Sequence, residues 1–226
     1  MNEKEIRPQI AISREVMISM NSIALPGELN VPAGSEGLVI FAHGSGSSRH
    51  SPRNQYVAQV IHEAGIGTLL FDLLTHEEEK IDLRTRHLRF DIGLLARRLV
   101  DVTEWVEKQK ETSHLRIGYF GASTGGGAAL VAAAKLGDRI GAVVSRGGRP
   151  DMAGEALPQV VSPTLLIVGG FDDVVIRLNE EAFSKLQCVK ELKIVPNATH
   201  LFEEPGKLEE AARMAADWFQ KYLRGN

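Results

Sequence analysis

Five short segments of this chain are apolar almost without a break: Gly37–Ala42, Gly67–Asp72, Leu115–Phe120, Ile140–Ser145 and Thr164–Val168. A strand with one wet face alternates polar and apolar residues, so continuous runs of this length mark strands covered on both faces. The segments between them change period. Tyr56, Val57, Val60 and Ile61 in residues 51–64, and Ile92, Leu94, Leu95, Leu99, Val102, Trp105 and Val106 in residues 90–110, recur at helical spacing. Further helices are predicted over 125–136, 176–186 and 206–223, with one more strand at Glu191–Val195. Buried strands alternating with helices predict an α/β fold with a doubly wound, mostly parallel sheet. Upstream, Ile10 to Val31 reads as two β segments punctuated by Pro26-Gly27 and Pro32-Ala33-Gly34, which predicts an antiparallel pair at the sheet edge.

With 226 residues, 43% of them hydrophobic, the chain fits one α/β domain over 1–226. A net charge of −3 supplies no basic field, so neither nucleic acid nor an anionic membrane is an expected partner. The lone Cys188 cannot close an internal disulfide, and the charged start, Met1-Asn2-Glu3-Lys4-Glu5, is not followed by a signal-type apolar stretch. The expected location is the cytoplasm. No cofactor is expected. Gly126-Gly127-Ala128-Ala129 lacks the Lys-Ser/Thr ending of a phosphate-binding loop, and its small residues suit close packing of a helix on the sheet.

Between the strand Leu115–Phe120 and the helix that follows stands Gly121-Ala122-Ser123-Thr124-Gly125. A G-x-S-x-G at a strand-to-helix turn is the pattern of a nucleophile elbow, which holds its serine exposed at a helix N-terminus with positive φ. Serine needs a base, and the base needs an orienting carboxylate. His200 follows the strand Glu191–Val195, and Asp172 and Asp173 follow the strand Thr164–Val168 after Gly169-Gly170. All of these lie at strand carboxyl ends, which meet along one edge of a parallel sheet. Ser123, Asp172 and His200 are therefore the candidate catalytic residues, with Asp173 the competitor for Asp172.

Four segments, Phe41-Ala42-His43-Gly44-Ser45-Gly46-Ser47-Ser48, Gly121 to Gly125, Gly169-Gly170-Phe171-Asp172-Asp173-Val174-Val175 and Ala198-Thr199-His200-Leu201-Phe202, follow in the order of a known group. The chain resembles an α/β-hydrolase of the dienelactone hydrolase-like group. The resemblance implies an α/β-hydrolase fold and favours Asp172 over Asp173. It also implies an oxyanion hole made by the backbone N–H groups of Ser45 and Thr124, with His43 shaping the loop rather than acting as base. Dienelactone hydrolases proper use a cysteine where this chain has Ser123, so dienelactone itself is not the implied substrate.

Arg146 and Arg149 follow the strand beside the elbow, and Arg49, His50 and Arg53 follow the His43–Ser48 loop. Arg146, Arg149 and Arg49 are candidates to hold an anionic substrate group in a bidentate fork, unless they pair with Asp151, Glu155 or Glu77–Glu79. The stretch 146–163 is too short for a large cap domain. The charged segment His76–Arg89 could be loop or helix, and is the remaining candidate for a partial cover. The expected activity is hydrolysis of a small carboxylic ester, thioester or lactone through an acyl-enzyme. A peptidase or acyltransferase on the same triad, or a hydrolase-fold protein that only binds its ligand, are the alternatives.

Overall fold

The computed structural model describes residues 10–20 and 23–225; the charged stretch 1–5 lies outside them. The apolar runs become strands of one sheet: β1 (Ile10–Met20), β2 (Ile23–Pro32), β3 (Gly37–Ala42), β4 (Gly67–Phe71), β5 (Arg116–Ala122), β6 (Ile140–Arg146), β7 (Thr164–Gly169) and β8 (Lys190–Val195). Their order is β1-β2-β4-β3-β5-β6-β7-β8. β1 pairs antiparallel with β2, and β2 with β4, while every pairing from β4 to β8 is parallel. This is the doubly wound sheet with an antiparallel N-terminal edge that the sequence predicts.

β3 shows why the runs are unbroken. Leu38, Ile40 and Ala42 enter one core, and Val39 and Phe41 enter the other, so successive residues are all buried. The first core lies under α3 (Ile92–Lys108), α4 (Thr124–Leu136) and α5 (Asp173–Lys185); the second lies under α1 (Pro52–Glu63) and α6 (Lys207–Leu223). α6 turns Ala211, Ala212, Ala215, Ala216, Phe219 and Leu223 inward at helical spacing. Burying Phe219 alone contributes about 1.5–3 kcal/mol.

The segment left open between loop and helix is mostly helical: α2 runs from His76 to Thr85, with a 3₁₀ turn at Leu88–Phe90. Its buried residue is Asp82, so packing does not explain the helix. A capping box does. Glu78 N–H donates to Thr75 Oγ1 at 3.2 Å, and Thr75 N–H donates to the Glu78 carboxylate at 2.8 Å. Between β6 and β7 the chain makes only short 3₁₀ turns over Pro150–Gln159, packed on α4 and α5. No cap domain intervenes there. Among the described residues, no helix is long and apolar enough to cross a membrane.

The strand order also places the site. From β3 the chain moves to β4 on one side, then returns through α3 to β5 on the other. The crevice at the carboxyl ends of β3 and β5 is thus a topological switch point, where open α/β sheets take ligands.

Candidate active site

At the end of β5 the chain reverses into α4 through Ser123, whose φ of 51° and ψ of −124° put an ordinary L-residue in a region that favours glycine. Such a conformation costs about 1–3 kcal/mol and persists only where neighbours enforce it. They do so through its backbone. Ser123 N–H donates to Arg146 O at 3.3 Å, and Ser123 O accepts from Gly126 N–H and Arg149 N–H, both at 3.0 Å. The turn is also too tight for side chains on either flank. A Cβ on Gly121 would sit 2.5 Å from Gly126 Cα, and one on Gly125 would sit 2.1 Å from Ala42 O.

Asp172 and His200 reach the same edge from β7 and β8. His200 Nδ1 lies 2.6 Å from Asp172 Oδ2, with the carboxylate the more buried partner. Donation from Nδ1 leaves Nε2 unprotonated and available as an acceptor. Of the two adjacent carboxylates Asp172 meets the histidine, while Asp173 is exposed at the first turn of α5. The His200 loop is braced by Thr199 N–H, which donates to Glu204 Oε2 at 3.0 Å.

The loop after β3 lies against the elbow: a Cβ on Gly44 would stand 3.1 Å from Ser123 Cβ. His43 holds that loop in place. Its Nε2 accepts from Leu73 N–H at 3.1 Å, so its Nδ1 carries the proton and donates to Gly44 O at 2.9 Å. Burial pushes the His43 pKa below 6.5, which keeps the ring neutral in this role. Both nitrogens are engaged in structure. At the far end of the loop, Asp72 accepts from Arg49 N–H at 2.8 Å and pairs with the Arg49 guanidinium. Ser45 is exposed beside Ser123, and helix geometry leaves Thr124 N–H without an intrahelical partner.

The three candidate arginines separate. Arg149 is fixed by a two-pronged pair to Asp151, at 2.8 and 2.7 Å, and Arg49 is held by Asp72, so the structure brings neither guanidinium into the cleft beside Ser123. In each case an acidic neighbour pairs with the guanidinium. Arg146 differs. It is 6% exposed and forms no ion pair or side-chain hydrogen bond among the described residues, and its Nε and Nη1 are buried without partners. Its guanidinium carbon lies 5.8 Å from the ring centres of both Phe120 and Phe202. Desolvation, then the charge of Arg53, pushes its pKa down to about 10, so it is still a cation at neutral pH. Cation–π contact is worth up to about 2 kcal/mol, whereas burying an unpaired ion costs several. The rings alone do not balance the charge.

Ser123, His200, Ser45, Arg146, Arg53 and Asn54 share the walls of one cleft of about 260 Å³. Asn54 escapes the sequence reading although its signal is present: it is a polar residue in register with Val57, Ala58 and Ile61 on the buried stripe of α1. Its Oδ1 is also buried without a partner. Glu79 and Asp82 of α2, with Arg89 of the 3₁₀ turn, line a small cavity of about 40 Å³ whose walls also include Ser45 and Thr124. Cys188 sits away from the cleft, its sulfur 3.7 Å from Thr164 Oγ1 and its pKa raised by burial.

Known proteins share this architecture. A crystal structure of dienelactone hydrolase from Anabaena variabilis is 60% identical, covers 96% of this chain and 100% of its own, and superposes with a TM-score of 0.93. Est1E from Butyrivibrio proteoclasticus superposes with a TM-score of 0.75 over 92% of this chain and 98% of its own, at 16% identity, a likeness of fold alone. Two curated proteins from Mycobacterium tuberculosis, provisionally named phosphoribosyl transferases, are 57% identical over 211 residues, which is 93% of this chain. This chain spans only about half of those relatives, 47% of their length. The profile of the Dienelactone hydrolase family matches residues 32–224, from the end of β2 to the end of α6, and the chain belongs to that family.

Proposed function

We propose that this protein is a serine hydrolase that cleaves a small carboxylic ester, thioester or lactone. The observation that carries the reading is the 2.6 Å contact between His200 Nδ1 and Asp172, beside a strained Ser123 in the same cleft. Ser123 Oγ attacks the acyl carbon while its proton passes to His200 Nε2, and the imidazolium that forms is stabilised by Asp172. The carbonyl oxygen becomes an anion facing the N–H groups of Ser45 and Thr124. Each such donor is worth about 3–4 kcal/mol in the transition state. Collapse expels the alkoxide or thiolate, which takes the proton from His200. Water, deprotonated by His200, then releases the acid and restores Ser123.

The phosphoribosyl transferase name belongs to relatives twice as long, and the stretch they share with this chain is largely the one that matches the hydrolase family. It is not carried over. A fluorophosphonate probe tests the proposal: phosphonylation at Ser123, abolished in Ser123→Ala and slowed at least about 100-fold in His200→Ala, is expected. Folded protein that takes no label would overturn it.

A further inference from the structure

We propose that β8 is the seam of a symmetric dimer, pairing antiparallel with β8 of a second copy of this chain about a two-fold axis at Leu192. β8 ends the sheet, with β7 on one side and, among the described residues, no strand on the other. On the β7 side, Val189 O accepts from Thr164 N–H and Val195 O from Gly170 N–H, both at 2.8 Å. Main-chain groups alternate between the two sides of a strand, so Lys190, Leu192 and Ile194 turn theirs to the open side. An open edge is ordinarily guarded by a free lysine, a proline or a bulge. This edge has none of them. Lys190 Nζ is turned back onto Phe183 O and Leu186 O, at 2.7 and 2.6 Å, and Lys193 pairs with Glu191 at 3.0 Å. β8 contains no proline and its register with β7 is unbroken, whereas the opposite edge, β1, is irregular between Ile10 and Ile12. Val189 and Ile194 stand apolar and exposed, at 59% and 39%.

Charge selects both the partner and the register. An axis at Leu192 sets Glu191 opposite Lys193 of the second copy, and Lys193 opposite its Glu191. Moving the axis one residue either way sets Glu191 against Glu191, or Lys193 against Lys193. The same register lets Lys190, Leu192 and Ile194 exchange N–H···O bonds with Ile194, Leu192 and Lys190 of the second copy. It also lays Val189 against Val195, and Ile194 against the stem of Lys190. Both copies use one surface, as a closed two-fold dimer requires. Assembly is measured without turnover, so the proposal stands apart from the hydrolase reading.

Sedimentation equilibrium from about 1 μM to about 1 mM, which spans the Kd of a small interface, is expected to show monomer converting to dimer. Glu191→Lys sets like charges opposite each other on both sides of the axis and should raise Kd at least about tenfold. Lys193→Glu should do the same. Both side chains are exposed, so neither change threatens folding. The double variant Glu191→Lys/Lys193→Glu restores opposite charges in this register alone, and should return Kd to within about threefold of the wild-type value. Ile194→Pro removes an outward N–H from an exposed position of an edge strand, and should also raise Kd at least about tenfold, with circular dichroism showing the chain folded. A protein that stays monomeric up to about 1 mM overturns the proposal. So does a dimer whose Kd is unmoved by Glu191→Lys or by Ile194→Pro, or one that the double variant fails to restore.

Discussion

Replacing His43 separates a structural histidine from a catalytic one. In His43→Ala the backbone N–H of Leu73, now 3.1 Å from Nε2 on a residue only 1% exposed, loses its acceptor. A buried donor left unsatisfied costs about 1–3 kcal/mol, and the lost Nδ1–H bond to Gly44 O adds about 1 kcal/mol. The expected loss is thus about 2–4 kcal/mol, read as the shift in free energy from equilibrium urea denaturation. His43→Gln restores an acceptor for Leu73 N–H through its amide oxygen and should recover at least about 1 kcal/mol of that loss. Neither change removes a base. His43→Gln should therefore be phosphonylated within about tenfold of the wild-type rate, against a loss of 10²-fold or more, roughly, in His200→Gln. Stability carries a pH signature as well. The native His43 pKa lies below 6.5, so as pH falls below that value the unfolded chain takes up a proton that the native ring refuses, and stability declines. In His43→Gln this contribution to the decline disappears. The reasoning is refuted if His43→Ala costs less than about 0.5 kcal/mol, or if His43→Gln is as inert as His200→Gln.

Three other outcomes are expected. Asp172→Asn, which keeps the shape beside His200 but not the carboxylate that stabilises its charged, correctly oriented ring, should lower kcat about 10³- to 10⁴-fold with an unchanged melting temperature to within a few degrees. Gly125→Ala places a methyl 2.1 Å from Ala42 O, so it should destabilise by at least about 1–3 kcal/mol in thermal unfolding and abolish fluorophosphonate labelling. Asp82 is pushed up by burial but more strongly down by Arg89 and the N–H groups of Leu88 and Arg89, so its pKa lies below 3.8. Its stabilisation is complete above that value and is lost as pH falls through the folded pKa; Asp82→Asn should cost about 1–3 kcal/mol at pH 7 and flatten the acid-unfolding curve, followed by circular dichroism.

What the sequence reveals and what it hides follow from the range of the forces involved. Leu38 to Phe41 announce a strand covered on both faces because burial acts on every residue of the run. Ser123, Asp172 and His200 are legible because each stands at a strand end, and strand ends of a parallel sheet share one edge. α2 is hidden from periodicity since it buries almost nothing, although Thr75 and Glu78 spell its cap. The arginines are harder. Arg149 and its partner Asp151 are two residues apart and could be paired on sight, but the match of Arg49 to Asp72 requires β3 and β4 to be neighbours. That Arg146 is left without a carboxylate depends on everything packed around the end of β6. No local pattern encodes it. Asn54 is the instructive intermediate case, a polar residue on an apolar stripe whose place becomes clear once the first turn of α1 and the end of β6 meet at one cleft.

The central claim is that an acyl group passes through Ser123. Quenching the enzyme with acid during turnover of a slow p-nitrophenyl ester, then measuring tryptic peptide masses, tests it most directly. The account predicts the acyl mass increment on the peptide spanning residues 117–135, which contains Ser123. An enzyme that turns the ester over while this peptide stays unmodified, or that carries the acyl group on Cys188, would contradict it.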